Sequence, residues 1–443
     1  MSVFRKYDIR GIYPAEINEK FAFRLGKAIG SFFEGKGKLV VGRDVREGGE
    51  VLKENLIKGI LETGCSVIDL DFSTTPLVGI ASYLLNCNGG VMVTASHNPK
   101  EYQGFKIFSC TSPLSYESGI GKIEEIFKLG IFLQGSGSLE KRNILSEYIK
   151  FLLDRVKPKK EKKIVVDCMQ GSTSFFVRPL LERVGVEFEV INDKPNPHFP
   201  CCKGTPNPED EENLVLLKEK VRDEKANFGF AFDGDGDRLA MVDGNGKIIP
   251  PYKIFCILSE HLMEKGLRNF VVNVAMPTFV SEFIESRGGK VYISKVGRSY
   301  VIEEMKKRDA CFAAEISGHY FFKDIFYLDD ALFCMLKILE IEDFEARAKS
   351  LPEVYTEEIR VPAFDEQKDL IIKRIKERLK DYTLITLDGI KVQFSSGSIL
   401  IRKSNTEPVI KIVIEGSSKP VFEEIRKFYE DVIRKEIEGI QSV

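Results

Sequence analysis

Three times along this chain an apolar strand is followed by a polar loop, an amphipathic helix, a glycine and a second strand. The first copy runs from Leu39-Val40-Val41 through a helix over residues 52–62 and Gly64 to a strand over 66–70. The second runs from Ile164-Val165-Val166 through 175–184 and Gly185 to 186–191, and the third from Phe270-Val271-Val272 through 279–286 and Gly288 to 290–293. In each, apolar residues fall at three- and four-residue spacing along the helix, and the glycine marks its C-terminal stop. Strand–helix–strand units of this size build parallel or mixed sheets. Recurrence at intervals of about a hundred residues predicts three related α/β domains in tandem. Gln134-Gly135-Ser136-Gly137-Ser138 forms a flexible loop before a helix over 145–156, and the charge run Lys157–Lys163 is a solvated connection. Asp243-Gly244-Asn245-Gly246 is a turn between the second and third copies. Beyond about residue 355 the texture changes. Strands over 383–386, 390–394, 398–402 and 409–415, then a helix over 420–435, predict a C-terminal α+β module. The expected domains are 1–143, 144–243, 244–354 and 355–443.

A chain of 443 residues is too long for one ordinary core. Its 43% hydrophobic and 30% charged residues are those of a soluble globular protein. Lys+Arg 65 against Asp+Glu 67 argues against nucleic acid or an anionic membrane as partner. The sequence shows no apolar run that would span a bilayer and no signal-peptide pattern at its start, so a cytoplasmic location is expected. The nine cysteines are scattered through mostly apolar segments and read as buried free thiols of a reducing compartment. Cys201-Cys202 has no partner pair at metal spacing, which speaks against zinc.

Four polar loops carry the chemistry. Residues 91–99, Val-Met-Val-Thr-Ala-Ser-His-Asn-Pro, read as a strand that stops abruptly, because Pro99 cannot extend a ladder and restricts Asn98. That leaves Ser96 at a strand end, where α/β proteins keep their ligands, beside His97. It suits a nucleophile or a phosphate carrier, and equally an ordinary loop hydroxyl. Residues 229–238 deliver Asp233, Asp235 and Asp237 from an apolar strand, separated by glycines and followed by Arg238. Three carboxylates this close repel unless a cation neutralises them, and hard oxygen ligands on a tight loop favour Mg²⁺ or Ca²⁺; the plain alternative is a solvated acidic turn. An EF-hand fails, since Arg238 and Gly244 stand where it needs glycine and glutamate. Glu315 and Ser317, in Ala-Glu-Ile-Ser-Gly-His, would point the same way in an extended segment and suit sugar hydroxyls. Arg402, Ser404, Asn405, Thr406 and Lys411 offer the donors of a phosphate cradle between two strands, or a solvated hairpin loop. A Gly-x-Gly-x-x-Gly after a strand is missing, so a nicotinamide cofactor is not supported.

Together these loops, in this order, resemble those of the α-D-phosphohexomutase family. Thr-Ala-Ser-His-Asn-Pro matches its phosphoserine loop, Asp-Gly-Asp-Gly-Asp-Arg its metal loop, Glu-Ile-Ser-Gly-His its sugar loop and Arg-Lys-Ser-Asn-Thr-Glu-Pro its phosphate loop. The resemblance runs from Arg5-Lys6-Tyr7-Asp8-Ile9-Arg10-Gly11 to the C-terminal module. It implies an active site in a central cleft, with Ser96 phosphorylated in the resting enzyme. One Mg²⁺ per chain would be held by Asp233, Asp235, Asp237 and the Ser96 phosphate, with Lys106 the general acid/base. Tyr7, Arg10, His97 and Arg238 would surround the phosphoserine. Lys295, Arg298, Glu315, Ser317 and His319 would read the sugar. Arg402, Ser404, Asn405, Thr406 and Lys411 would hold the phosphate that is not reacting.

The implied reaction moves phosphate between C1 and C6 of a mannose or glucose phosphate through a hexose 1,6-bisphosphate, which also serves as activator. Ala314, Ile316, Gln103 and Lys411 depart from the family's usual Gly, Met, Asn and Arg, and Arg298 is unusual in its loop. The Ser-Asn-Thr-Glu-Pro and Glu-Ile-Ser loops look more like phosphomannomutase/phosphoglucomutase members than phosphoglucosamine mutases, the runner-up. A Mg²⁺-dependent sugar-phosphate phosphatase and a non-catalytic sugar-phosphate binder are the other classes. A monomer or weak homodimer is expected.

Overall fold

The computed structural model describes residues 3–403 and 409–441. It falls into two compact units: residues up to Pro251 with Ser317–Phe344, and Tyr252–Ile316 with the residues from Glu345 onward.

In the first unit, the first repeat forms the strands Lys38–Arg43 and Ser66–Phe72 around the helix Gly49–Leu61. These belong to a mixed sheet ordered Ile9–Ile12, Tyr102–Ser109, Gly89–Val93, Lys38–Arg43, Ser66–Phe72, Leu139–Lys141. Lys38–Arg43 runs parallel to both neighbours, whereas Tyr102–Ser109 returns antiparallel to Gly89–Val93. That return matters, because it folds the residues after Gly89–Val93 into a hairpin loop and sets Lys106 opposite Met92. Leu39, Val41, Leu52, Leu56, Val91, Val93 and Phe105 bury one continuous apolar cluster beneath it.

The second repeat forms Lys163–Asp167 and Glu187–Ile191 in parallel, with Phe228–Phe232 on the other side of Lys163–Asp167 and Leu239–Asp243 antiparallel to that. Its helix is shorter than the sequence predicts. It starts at Val177, after a 3₁₀ turn over Ser172–Phe175. Gly185 ends it as predicted, with φ +77° and its N–H on Leu181 O. Val45, just past the first repeat's strand, packs into the core of the second with Val165, Leu217 and Val242.

In the second unit the third repeat gives Asn269–Asn273 parallel to Lys290–Ser294 and to Phe312–Ala314, with the helix Thr278–Glu285 between the first two in sequence. The C-terminal module is a fully antiparallel sheet ordered Tyr355–Pro362, Val409–Gly416, Gly397–Lys403, Ile390–Phe394, Thr383–Ile385. Its isoleucine-rich core takes Ile371 and Ile375 from a helix, Asp365–Arg378, that the sequence pattern does not announce. The edge strand Tyr355–Pro362 is equally silent in the sequence. Its side chains alternate between half-buried and exposed, so it lacks an apolar run. The expected single helix over 420–435 is a helix Lys419–Phe428, a π turn Tyr429–Arg434 and a helix Lys435–Gln441. Among the described residues no helix is long and apolar enough to cross a membrane.

Candidate active site

Ser96 lies in the loop that follows Gly89–Val93, where the strand's abrupt end places it, and it is buried. Its φ is +54°, a left-handed conformation that costs a residue with a Cβ about 1–3 kcal/mol. Two residues that sequence reasoning missed hold it there. The fully buried side chain of Arg46 donates to Ser96 O at 2.7 Å, Asn98 O at 2.5 Å and Pro99 O at 2.7 Å. Its Nε lies 3.2 Å from Asp44 Oδ2. Asp44 accepts from Thr94 Oγ1 at 2.6 Å, and that hydroxyl accepts Ser96 N–H at 2.8 Å. Burial pushes the Asp44 carboxyl up, against the pull of Arg46. The only signal for this clamp was Gly42-Arg43-Asp44-Val45-Arg46 at a strand end, charged residues in a position that the topology buries.

The aspartate loop joins Phe228–Phe232 to Leu239–Asp243 and packs backbone to backbone on the serine loop. A Cβ on Gly234 would sit 2.6 Å from Ser96 O, so glycine is required for this approach. Ser96 Oγ donates to Asp233 Oδ2 at 2.7 Å. Asp233 Oδ1 accepts the N–H groups of Asp237 and Arg238, at 3.1 and 3.2 Å. Lys106 Nζ reaches Asp235 Oδ2 at 2.8 Å and Asp237 Oδ2 at 2.6 Å. Thr75, opening the helix Thr75–Leu84, donates its hydroxyl to Asp235 Oδ2 at 2.5 Å and its N–H to Asp235 O at 2.9 Å.

All three carboxylates are buried. Burial first, then the charges of Asp237 and Asp235, holds the Asp233 carboxyl well above its usual range. Burial and Asp237 also act to raise Asp235, but Lys106 and Thr75 outweigh them and its pKa falls. Oxygens of the three lie within 4.8 Å of one another, and the buried Asp235 Oδ1 accepts no hydrogen bond from the described residues. A site of three converging hard oxygens with mutual repulsion fits a divalent cation.

Arg238 fixes the state of two histidines. Its Nε donates to His319 Nε2 at 3.0 Å, and its Nη2 lies 3.4 Å from His97 Nε2. A guanidinium cannot accept, so both Nε2 atoms are acceptors and both rings carry their proton on Nδ1. His97 Nδ1, 3.3 Å from Ser96 Oγ, is therefore a donor to that oxygen and not a base for it. Burial, and then Arg238 and Arg10, hold His97 well below the usual histidine pKa, so the ring is neutral. His319 Nδ1 lies 2.8 Å from Asp329 Oδ2 and 3.6 Å from Asp237 Oδ1. Arg238 also pairs with Glu209. Arg10, on the strand Ile9–Ile12, donates to Asn98 Oδ1 at 2.6 Å and pairs with Asp8. Tyr7 precedes that strand, with Lys6 Nζ 5.8 Å from its ring centre. Ser96, Lys106, His97, Arg238, His319 and the aspartates thus all belong to one compact unit.

The remaining predicted residues lie elsewhere in the chain. Lys295 follows the strand Lys290–Ser294, and Arg298 opens the helix Arg298–Arg308. Glu315 is buried and accepts both Asn273 Nδ2 at 2.9 Å and Gly297 N–H at 2.8 Å, so it braces the 295–298 loop. Residues 316–318 turn instead of continuing the strand Phe312–Ala314, so the extended alignment of Glu315 with Ser317 does not form. Arg402 and Lys411 face each other in register across two antiparallel strands. Ser404, Asn405 and Thr406 lie outside the described residues.

An α/β fold that seats a buried serine hydroxyl against three converging buried carboxylates defines a class of candidate enzymes, and comparison with known proteins narrows it. Residues 1–132, 146–246 and 250–361 match the alpha/beta/alpha domains I, II and III of phosphoglucomutase/phosphomannomutase, and residues 358–432 match its C-terminal domain. The chain is similar to the phosphomannomutase/phosphoglucomutase of Pseudomonas putida, at 34% identity over 98% of this chain and 95% of that one. It is also similar to the phosphomannomutase of Methanocaldococcus jannaschii, at 35% identity over 98% of each. The crystal structure of a phosphoglucomutase/phosphomannomutase family protein from Burkholderia thailandensis superposes with a TM-score of 0.91 at 28% identity, covering 99% of this chain and 97% of that one. The chain belongs to the phosphoglucomutase/phosphomannomutase family. It is a phosphohexomutase, and its acidic cluster suits the metal on which that family depends.

Proposed function

We propose that this enzyme moves phosphate between C1 and C6 of a mannose or glucose phosphate by way of phosphorylated Ser96 and a hexose 1,6-bisphosphate, which also reloads the serine when it is empty. The observation that carries this reading is the seat of Ser96 Oγ, 2.7 Å from Asp233 and in the same buried network as Lys106. Phosphoryl transfer needs positioning and charge neutralisation more than covalent chemistry. Mg²⁺ on Asp233, Asp235 and Asp237 supplies charge neutralisation when bound. Arg238 holds His97 as a neutral donor aimed at the Ser96 oxygen, which suits a phosphate ligand. Lys106 is the group that exchanges a proton with the attacking sugar hydroxyl. Lys295, Arg298, Glu315, Ser317 and His319 read the sugar, with Glu315 acting through the loop it braces. Arg402, Ser404, Asn405, Thr406 and Lys411 hold the phosphate that does not react, with Arg10 and Tyr7 beside the phosphoserine. The reading assigns these roles to domains 1–143, 144–243, 244–354 and 355–443 of a cytoplasmic monomer or weak dimer.

The test compares mannose 1-phosphate, glucose 1-phosphate and glucosamine 1-phosphate with Mg²⁺ and glucose 1,6-bisphosphate present. Turnover of the first two, dependent on the bisphosphate for dephosphorylated enzyme and lost at least a thousandfold in a folded Ser96→Ala variant, is the expected result. Preference for the glucosamine phosphate would assign the runner-up mutase. Release of inorganic phosphate as the main product would assign a phosphatase.

A further inference from the structure

The adjacent cysteines Cys201 and Cys202 are not explained by any of this. All nine cysteines are free, and these two bring their sulfurs to 3.2 Å of each other. The turn that carries them is tightly built. Phe199 and Lys203, on either side, hold φ of +45° and +54°, unusual for residues with side chains. Backbone bonds Cys202 N to Phe199 O at 3.1 Å, Gly204 N to Phe199 O at 2.9 Å and Thr205 N to Cys202 O at 2.9 Å close it. Cys202 is buried and Cys201 half-buried. The turn also rests on the clamp of the serine loop. Phe199 is fully buried with its ring centre 5.1 Å from the Arg46 guanidinium, and Phe199 and Cys202 share an apolar cluster with Val45.

We propose that Cys201 and Cys202 form a reversible dithiol–disulfide site, oxidised by hydroperoxides, that loosens the seat of Arg46 and so the Ser96 loop. The more exposed Cys201 is the sulfur a peroxide reaches. Its thiolate attacks the nearer peroxide oxygen; the S–O bond forms, the O–O bond breaks, and the leaving oxygen takes up a proton as water or an alcohol. Cys202 sulfur then attacks Cys201 sulfur; the S–S bond forms, the S–O bond breaks, and the hydroxyl leaves with the Cys202 proton as a second water. Two thiols are oxidised by two electrons and one peroxide is reduced. The sulfur of Cys201 against it, and then burial, push the Cys202 thiol up, which keeps it protonated until that second step. Adjacent residues have Cα atoms about 3.8 Å apart, short of the roughly 4.4–6.8 Å that an unstrained disulfide spans. A bond made here is strained and therefore easily reduced, as a reversible switch requires. Closing the sulfurs to about 2.05 Å must turn the peptide between them, and the turn's own hydrogen bonds pass that movement to Phe199.

The test treats the full-length enzyme with a modest excess of hydrogen peroxide, alkylates it, and reads the peptide containing both cysteines by mass spectrometry. Expected is an unalkylated peptide two hydrogens lighter, restored by dithiothreitol. Amide exchange over residues 94–98 should rise, and hexose-phosphate turnover should fall at least fivefold, both reversing together. Cys201→Ser and Cys202→Ser should keep the starting turnover and lose the reversible response. Mass gains of oxygen on Cys201 without a disulfide would overturn the proposal. So would a disulfide that leaves exchange at 94–98 unchanged, or equal inhibition of both variants. The mass and exchange readings need no substrate, so they stand apart from the assigned reaction.

Discussion

Arg46→Lys is the most demanding test of how this site is held. Arg46 touches neither the aspartate triad nor, by any recorded bond, the Ser96 hydroxyl. It supports the loop through backbone carbonyls alone, four of them counting Tyr102 O at 3.3 Å, while pairing with Asp44. Lysine keeps the charge but offers three donors on one nitrogen and no planar fork. With one donor committed to Asp44, at least two of the four carbonyl bonds are lost. Bonds to a charged donor are worth about 1.5–3 kcal/mol each, so the loop should lose about 3–6 kcal/mol of local stability. Removing the cation altogether, in Arg46→Ala, adds the cost of a buried, unpaired Asp44. A loop that must be restored to its strained left-handed serine at about 3 kcal/mol would slow turnover about a hundredfold. The assay is amide exchange at residues 94–98 beside turnover and urea unfolding. Local opening should become easier by the stated amount while exchange in the strands Lys163–Asp167 and Phe228–Phe232 stays as it was. An Arg46→Lys enzyme with unchanged exchange at 94–98 and turnover within threefold of the parent would refute the reasoning.

Two further outcomes follow from the buried carboxylates. Mg²⁺ should raise the thermal midpoint of the parent, by about 2.7 kcal/mol of stabilisation at a hundredfold excess over its Kd, and should leave Asp235→Asn unmoved; an equal shift in the variant would remove Asp235 from the metal site. Asp330 caps the helix Ala331–Leu339 through Phe333 N–H and accepts Tyr148 Oη, and burial pushes its carboxyl up to about 6. An unfolded aspartate titrates near 4. Between the two the folded chain holds a proton that the unfolded chain has released, so this group's contribution to stability falls as pH rises through that window. Asp330→Asn keeps the cap through Oδ1, reverses the other bond so that Nδ2 donates to Tyr148 Oη, and removes the slope. Its stability relative to the parent should improve by about 2 kcal/mol from pH 4.5 to pH 7 in urea titrations, and a constant difference would contradict the assignment.

The three repeats were legible because their helices and strands obey simple periods and their glycines end the helices. Gly185 is the clearest case, a left-handed stop that almost no other residue fills as cheaply. Ser96 and the aspartates were legible because chemistry concentrates unusual residue types on short loops, whereas Lys106, inside the strand Tyr102–Ser109, stood out only through the family resemblance. The Arg46–Asp44 clamp was not, since charged residues after a strand read as solvent-facing and only the topology buries them. Glu315 was legible as a polar residue near the sugar loop but not as its brace, because its partners Asn273 and Gly297 are 42 and 18 residues away in sequence. Tyr355–Pro362 and Asp365–Arg378 escaped for another reason. Their apolar residues are too sparse to set a period, and their place comes from the isoleucine core laid down by the strands between Ile390 and Gly416.

The network also says what must change before Ser96 can carry a phosphate. Its hydroxyl donates its one proton to Asp233 and accepts from His97. Esterifying that oxygen removes the only proton it can donate, so Asp233 loses a partner when the serine is loaded. Lys106 stands under the opposite constraint. Two carboxylates favour its ammonium form, and a lysine held this way is a poor base. Asp235 has a second oxygen, Oδ1, that accepts no hydrogen bond from the described residues, so a divalent cation can bind there while Oδ2 stays with Lys106. For Lys106 to take a proton, the role proposed above, its two bonds to these carboxylates must weaken. Phosphorylating Ser96 would thus dissolve its bond to Asp233 and leave the two bonds of Lys106 in place, so a change at the aspartates, and not at the serine, is what would free Lys106 for the role proposed above.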